Sequence, residues 1–361
     1  MEITCRETKD KDSVEIVESQ HCPYLPQDPM FEILTRVSLE TLERCRLVSK
    51  EWNHVTYEPS FMKLYCKRNG ILSGFFIQCL GLKLYTAFAS QGNPFQDSSL
   101  SLGMLPLLAT VLTVSNQGLV YCESLRSRFH YVCKPTTGEW LKIPNPKTRF
   151  TTYRNAMVVL QSRPLRYKIV RLSEPRDASR GCTIICEIFD SEKGAWKRLE
   201  NIKSSGFVLL SEAPPVFASG AFHWFTFSQQ IFAFDINSEK WELIDLPENF
   251  TDETTFYLKK PLVQYEGKLA LVRYAMDVDK VEIWVMENYS RRTWKLAREI
   301  VNIAYEDTIV HLYRSDVAVV INYKDLVWYD LNNGTSTTTK GSRIFFSRNV
   351  YPFESDYEPM L

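Results

Sequence analysis

Four tryptophans close similar short units between residues 134 and 294, and no other feature restricts the fold of this 361-residue chain as tightly. The units are Lys134-Pro-Thr-Thr-Gly-Glu-Trp140, Asp190-Ser-Glu-Lys-Gly-Ala-Trp196, Asp235-Ile-Asn-Ser-Glu-Lys-Trp241 and Asn288-Tyr-Ser-Arg-Arg-Thr-Trp294. In three of the four, an Asp or Asn stands six residues before the tryptophan, at the end of an apolar run. A short Asx side chain accepts a hydrogen bond from a backbone N–H two residues on, which starts a hairpin turn. The tryptophan is then expected to hold the returning strand in the core. A degenerate fifth copy follows Val327-Trp-Tyr-Asp330, with Asn332-Asn-Gly334 as its turn and Ser336 in the tryptophan's place.

The tryptophans lie 56, 45 and 53 residues apart. Three units carry an upstream glycine followed by an apolar strand: Gly118-Leu-Val-Tyr121, Gly220-Ala-Phe-His-Trp224 and Gly267-Lys-Leu-Ala-Leu271. A period of roughly 45–55 residues with about four short strands per unit is how propeller blades read in sequence. Across residues 70–361 that period predicts an all-β propeller of about six blades, and five or seven also fit the legible copies. A β-sandwich with coincidental tryptophans is the competing fold. It is disfavoured because several features recur in register.

Ahead of this body the texture is helical, with the change near Asn69-Gly70. Asp28 followed by Pro29 predicts a helix start, with a carboxylate at the cap and a proline where its missing N–H costs nothing. Met30, Ile33, Leu34 and Val37 then share one helical face, and Ser38 or Thr41 can start the next helix, with Leu42, Cys45 and Leu47-Val48 apolar. About forty residues of short helices cannot enclose a full core, so apolar side chains are left for a partner. Residues 1–24 are polar and charged, and read as a flexible tail.

The stretch from Leu25 to Trp52 resembles an F-box. The pattern runs Leu25-Pro26-x-Asp28, Glu32-Ile33-Leu34-x-Arg36, then Leu42-x-Arg44-x-Arg46-x-Val48-x-Lys50-x-Trp52, with Pro59-Ser60-Phe61 downstream. Pro29 stands where an apolar residue is usual, and Val37-Ser38 replaces a common Leu-Pro. The body resembles the F-box-associated, kelch-like propeller domain of the large plant F-box family, through Pro135-Thr-Thr-Gly-Glu-Trp140, Ser219-Gly-Ala-Phe-His-Trp224 and Ala233-Phe-Asp235. Lys134 departs from that family's usual Asn.

The resemblance implies a small all-α F-box head at residues 25–69 followed by a propeller at 70–361. It further implies the substrate-recognition subunit of a Skp1-cullin-F-box ubiquitin ligase. The F-box would bind a Skp1-type adaptor, and through it a cullin, while the propeller binds a target protein. Leu25, Pro26, Ile33, Leu34, Val37, Leu42, Val48 and Trp52 are the expected adaptor-facing or head-core residues. The alternatives are an interaction scaffold that does not promote degradation, and a propeller that binds a glycan or small molecule. Candidate target loops are Gln91 to Ser101, Ser173 to Gly181 and Asn249 to Thr255.

Composition narrows the partners. Lys plus Arg and Asp plus Glu both total 43, so the formal net charge is zero and a nucleic-acid partner is not expected. The start lacks the basic and apolar regions of a secretory signal, so an intracellular protein of cytoplasm or nucleus is expected. The longest nearly apolar run, Leu102 to Val114, is too short to cross a bilayer and reads as buried strand, so no membrane partner is expected. In a reducing compartment the nine cysteines should be thiols, and Cys182 with Cys186 reads as two buried residues on one strand face.

No hydrolase elbow, dinucleotide or P-loop motif is present, and the five histidines are scattered. His223, beside Trp224, reads as a core or rim residue. No enzyme activity, metal or cofactor is expected; ubiquitin thioester chemistry would belong to other subunits.

Overall fold

A computed structural model of the protein describes residues 27–37, 39–56, 58–69, 72–80, 84–89, 102, 105, 108–175, 182–204, 214–226, 228–247, 250, 262–275, 280–301, 308–313, 317–322, 325–340, 347–356, 359 and 360. The expected tail and the pair Leu25-Pro26 lie outside them.

Four short helices form the head: α1 (Gln27–Leu34), α2 (Leu39–Val48), α3 (Lys50–Thr56) and α4 (Pro59–Asn69). Met30, Leu34, Leu42, Val55, Phe61 and Tyr65 form one buried cluster. Met30 with Leu34, and Phe61 with Tyr65, are four apart, so each pair shares a helix face. The Phe61 and Tyr65 rings stack at 5.8 Å, with Phe31 edge-on to Phe61 at 5.1 Å. Helix α1 starts at Gln27, one residue before the expected cap, which puts Asp28 and Pro29 inside its first turn. The start of α3 is capped by Ser49, whose Oγ accepts the Trp52 N–H at 3.3 Å. Asn69 closes α4 by donating to the Tyr65 carbonyl (3.0 Å) and reaches the Thr35 carbonyl after α1 (2.9 Å).

The strands begin with β1 (Leu72–Leu80) and β2 (Leu84–Ala89). The first sheet of the repeating body is β3 (Ala109–Val114), β4 (Val120–Ser124), β5 (His130–Lys134) and β6 (Glu139–Ile143). The second is β7 (Thr151–Ser162), β8 (Leu165–Glu174), β9 (Cys182–Asp190) and β10 (Ala195–Arg198), with β11 (Ile202–Ser204) also paired to β9. The third is β12 (Val216–Ala218), β13 (Ala221–Phe225), β14 (Gln230–Asp235) and β15 (Lys240–Asp245). The fourth is β16 (Leu262–Tyr265), β17 (Lys268–Ala275), β18 (Lys280–Asn288) and β19 (Thr293–Val301). The fifth is β20 (Thr308–Tyr313), β21 (Val317–Asn322), β22 (Asp325–Asp330) and β23 (Ser336–Lys340). Finally β24 (Ser347–Ser355) returns to pair with β1, in the order β2-β1-β24.

The repeats thus correspond to five sheets of four or five strands, one fewer than the predicted count of about six. The three-stranded sheet is built differently: it joins the first strand of the body to the last, with Leu72 opposite Ser355 and Phe76 opposite Tyr351. Consecutive sheets share hydrophobic layers. Val120 and Tyr131 pack with Phe76 and Phe353; Val132 with Met157 and Ile169; Val170 with Phe222 and Phe234. Ile231 packs with Leu271, and Val285 with Ala318 and Val320. The Trp328 ring of β22 meets Phe75 of β1 at 5.5 Å, which brings the fifth sheet against the strand that opens the body.

The turn device is as expected. Asp190 Oδ1 accepts the Glu192 N–H at 3.0 Å, Asp235 Oδ1 accepts the Asn237 N–H at 3.0 Å, and Asp330 Oδ1 accepts the Asn332 N–H at 2.8 Å. Asn288 reaches the Arg291 N–H at 2.9 Å. Four residues after each of these, and after Lys134, the backbone is left-handed: Gly138, Gly194, Glu239, Arg292 and Gly334. The five copies are therefore one backbone motif, although two place a charged residue where glycine is cheapest.

The tryptophans need a correction. Trp196 is buried, but Trp140 and Trp241 are each 39% exposed. All three lie on the fourth, outer strand of their sheets, whereas the middle strands β5 and β13 are buried throughout. Trp196 is covered there by the first sheet, its Nε1 donating to the Pro144 carbonyl at 2.7 Å. Each exposed ring packs on its neighbour strand instead, Trp140 edge-on to Tyr131 at 5.6 Å and Trp241 stacked on Phe232 at 5.7 Å.

Candidate interaction surfaces

The head separates the sequence-predicted residues into two groups. Leu34 and Leu42 are in its core, with Val37 and Trp52 packed against that core. Ile33 is 54% exposed and Val48 76% exposed, and Leu47, absent from the predicted set, is 86% exposed. The apolar pair Leu47-Val48 at the end of α2 was the available signal for Leu47. Ile33 on α1 and Leu47-Val48 on α2 are therefore aliphatic side chains left uncovered by the head's own core. The helix that presents Ile33 is braced by Arg68, whose guanidinium meets both Glu32 oxygens at 2.9 Å. Hydrogen bonding to Arg68 holds the Glu32 carboxyl below its usual range, with Arg36 adding to the effect.

In the body, antiparallel strands send successive loops to opposite ends. One end carries the first-to-second and third-to-fourth hairpins, including the Ser219-Gly220 and Glu266-Gly267 turns, both left-handed at both residues. The other end carries the second-to-third loops and the connectors between sheets. The three candidate target loops all attach there: 91–101 leads to β3, 173–181 joins β8 to β9, and 249–255 lies between β15 and β16. Most of their residues lie outside the described ones; Ser173 and Phe250 are buried.

At the hairpin end a cavity of about 700 Å³ is lined by Val114, Asn116, Met157, Phe217 and Gln264 of the body and by Arg46, Leu47 and Asn53 of the head.

His223 is fully buried. Its Nδ1 lies 3.1 Å from the Val216 carbonyl, which can only accept, so Nδ1 carries the proton and Nε2 accepts the Tyr289 hydroxyl at 2.8 Å. Burial lowers its pKa to about 4, so both nitrogens are committed and the ring is neutral. It is a core residue. Cys186 is buried and free, with burial pushing its thiol up to about 12. Among the described residues no cluster of His, Cys, Asp or Glu has the makings of a metal site, and no helix is long and apolar enough to cross a membrane.

Comparison with known proteins agrees with this architecture. Residues 23–64 match the F-box domain family, and residues 93–340 match the family described as the F-box associated beta propeller domain. The second match takes in β3 through β23, the five sheets of four or five strands, and leaves out β1, β2 and β24. F-box protein At5g49610 of Arabidopsis thaliana is 25% identical over 296 residues, covering 79% of this chain and 81% of that protein. F-box protein At5g41720 of the same plant is 31% identical over 162 residues, 42% of this chain and 87% of that protein. The chain belongs to the F-box-associated β-propeller family and carries an F-box domain in its N-terminal helices.

Proposed function

We propose that the chain is a non-catalytic, intracellular substrate-recognition subunit of a Skp1-cullin-F-box ubiquitin ligase. In this reading the F-box docks on a Skp1-type adaptor and, through it, a cullin. The propeller holds a target protein so that a target lysine meets activated ubiquitin at high effective concentration. The observation that carries the reading is the exposed group Ile33, Leu47 and Val48 on a domain that matches the F-box family. Leu25 and Pro26 belong to the same proposed docking face; Leu34, Val37, Leu42 and Trp52 shape it from within. We read the β2-β1-β24 sheet as the sixth blade, closing the ring with strands from both ends of the body.

The test is co-elution of the full chain with purified Skp1-type adaptor and cullin in size-exclusion chromatography. A ternary peak is expected; separate elution of adaptor and chain contradicts the reading. A second reading, a ligand-binding propeller, rests on the cavity of about 700 Å³, a size that suits a small molecule. A thermal-shift screen of sugars and metabolites against the full chain distinguishes it.

A further inference from the structure

At the connector end of the first two sheets, two neighbouring segments are basic and free of acid. Residues 125–129 (Leu-Arg-Ser-Arg-Phe) and 142–150 (Lys-Ile-Pro-Asn-Pro-Lys-Thr-Arg-Phe) contain no Asp or Glu. Arg126, Arg128, Lys142, Lys147 and Arg149 are all exposed. The register of β5 and β6, with His130 opposite Ile143, makes both segments project from the same end.

Apolar groups sit among these charges. Leu108 is 68% exposed and Leu125 53% exposed, and the Leu125 N–H donates to the Leu108 carbonyl at 3.0 Å, so the two are adjacent. The acidic residues at the adjoining strand ends, Glu123 and Glu174, are both partly buried.

The backbone beneath is pinned. Glu187, fully buried, accepts the Thr148 N–H at 3.0 Å and its hydroxyl at 2.7 Å. Arg171, also buried, pairs with Glu187 and donates to Thr148 Oγ1 (2.9 Å) and the Phe150 carbonyl (2.5 Å). Lys147 and Arg149 flank Thr148, so a buried ion pair holds the connector that presents them. Such pre-organisation lowers the ordering cost of binding.

We infer that this end of the first two sheets is a docking surface for an acidic protein segment carrying an apolar side chain. The inference rests on the target-binding role proposed above and supplies the chemistry of its target. Five exposed cations against one half-buried carboxylate, Glu123 beside Arg128, leave an excess of positive charge among the described residues that calls for carboxylates, and the exposed leucines call for an apolar partner. A nucleic acid fits less well. Of the two phenylalanines in these segments Phe150 is half-buried, and the exposed Phe129 already has Lys142 Nζ 3.3 Å from its centroid, which leaves that face closed to base stacking.

The experiment is fluorescence anisotropy of the full chain with short labelled probes: an alternating Glu/Leu peptide, its Gln/Leu and Glu/Ser counterparts, and a single-stranded RNA. The Glu/Leu peptide should bind at least about tenfold more tightly than the other three and weaken with added salt. Arg126→Glu with Lys147→Glu, and separately Leu125→Ser, should each cost about tenfold, while Lys240→Glu at the hairpin end changes nothing. If the double variant melts early, Leu125→Ser decides. No binding of the Glu/Leu peptide, equal binding of the Gln/Leu peptide, tighter binding of RNA, or variants at wild-type affinity overturns the inference. Adaptor capture on the same preparations separates the two claims: capture without peptide binding removes the docking surface alone, and peptide binding without capture removes the ligase reading alone.

Discussion

Glu239, in the turn between β14 and β15, reaches out of its own sheet to Lys197 of the preceding one at 2.6 Å, with Lys168 of that sheet at 3.5 Å. Its backbone is left-handed, at φ 56°. The equivalent position in the next repeat, Arg292, pairs with Glu242 of the sheet before it. Lys134 pairs with Asp356 just past β24, and Asn332 accepts from Arg298 at 2.5 Å. Four of the five repeat turns therefore clip one sheet to its predecessor. This explains charged residues at positions where glycine would relax the backbone, and Lys134 where the other four repeats have Asp or Asn.

Glu239→Ala should lower stability by about 1 kcal/mol, because it loses the lysine contacts and keeps the left-handed backbone. Glu239→Gly should cost less, since glycine takes up the left-handed backbone without the penalty of roughly 1 kcal/mol that other residues carry there. Urea denaturation of both variants reads the difference; equal losses would mean that backbone strain has no part in it.

Gly118 sits where the first hairpin meets the end of β24. A Cβ there would lie 2.2 Å from the Ser355 Cβ, and the backbone is left-handed at φ 74°. Gly220 is equally left-handed, yet a Cβ would meet only the Asn237 side chain, at 3.9 Å. Gly220→Ala should cost about 1 kcal/mol from backbone conformation alone. Gly118→Ala should cost about 3 kcal/mol or more by prising β24 from the first sheet. Thermal melts of the two variants should rank in that order.

Burial lowers the pKa of both His130 and His223 to about 4, the former hydrogen-bonded to the Tyr121 hydroxyl at 2.8 Å. Their unfolded values are near 6.5, so between pH 6.5 and 4 the unfolded chain binds protons that the native one refuses. The stability they contribute is intact above pH 6.5 and is lost as pH falls towards 4, by roughly 3 kcal/mol for each histidine. Denaturation midpoints across that range should fall, and His223→Gln should flatten the slope. A slope unchanged in this variant would show that His223 titrates as freely when folded as when unfolded.

Leu42 and Ile33 test the division of the head into core and surface. Leu42 is fully buried, so Leu42→Ala should cost about 2–5 kcal/mol and open the four helices. Ile33→Ser should leave stability within about 0.5 kcal/mol. Hydrogen exchange over residues 27–69 distinguishes the two, with protection lost in the first variant only.

Much of this architecture was legible because its parts are local. The Asx turns at Asp190, Asp235 and Asn288 are two- and three-residue contacts, and glycines such as Gly118 and Gly220 announce left-handed turns by their chemistry. The β1–β24 pairing was not legible: Phe76 opposite Tyr351 spans nearly the whole body and carries no tryptophan turn. Nor was the exposure of Trp140 and Trp241 against the burial of Trp196 on the equivalent strand, where the first sheet covers the ring. In the head, helical periodicity put Ile33 and Leu34 together, and only tertiary packing sends one outward and the other into the core. The basic connector end went unseen because Arg126 and Lys147 are far apart in sequence and balanced by acids elsewhere in a chain of zero net charge.

The most direct test of the account is the affinity of a purified Skp1-type adaptor for the full chain, measured by calorimetry for wild type, Ile33→Asp with Val48→Asp, and Leu125→Ser. Wild type and Leu125→Ser should bind alike, and the head double variant should lose about a hundredfold or more while keeping its helical content. Failure of the wild type to bind, or wild-type affinity in the head double variant, would contradict it.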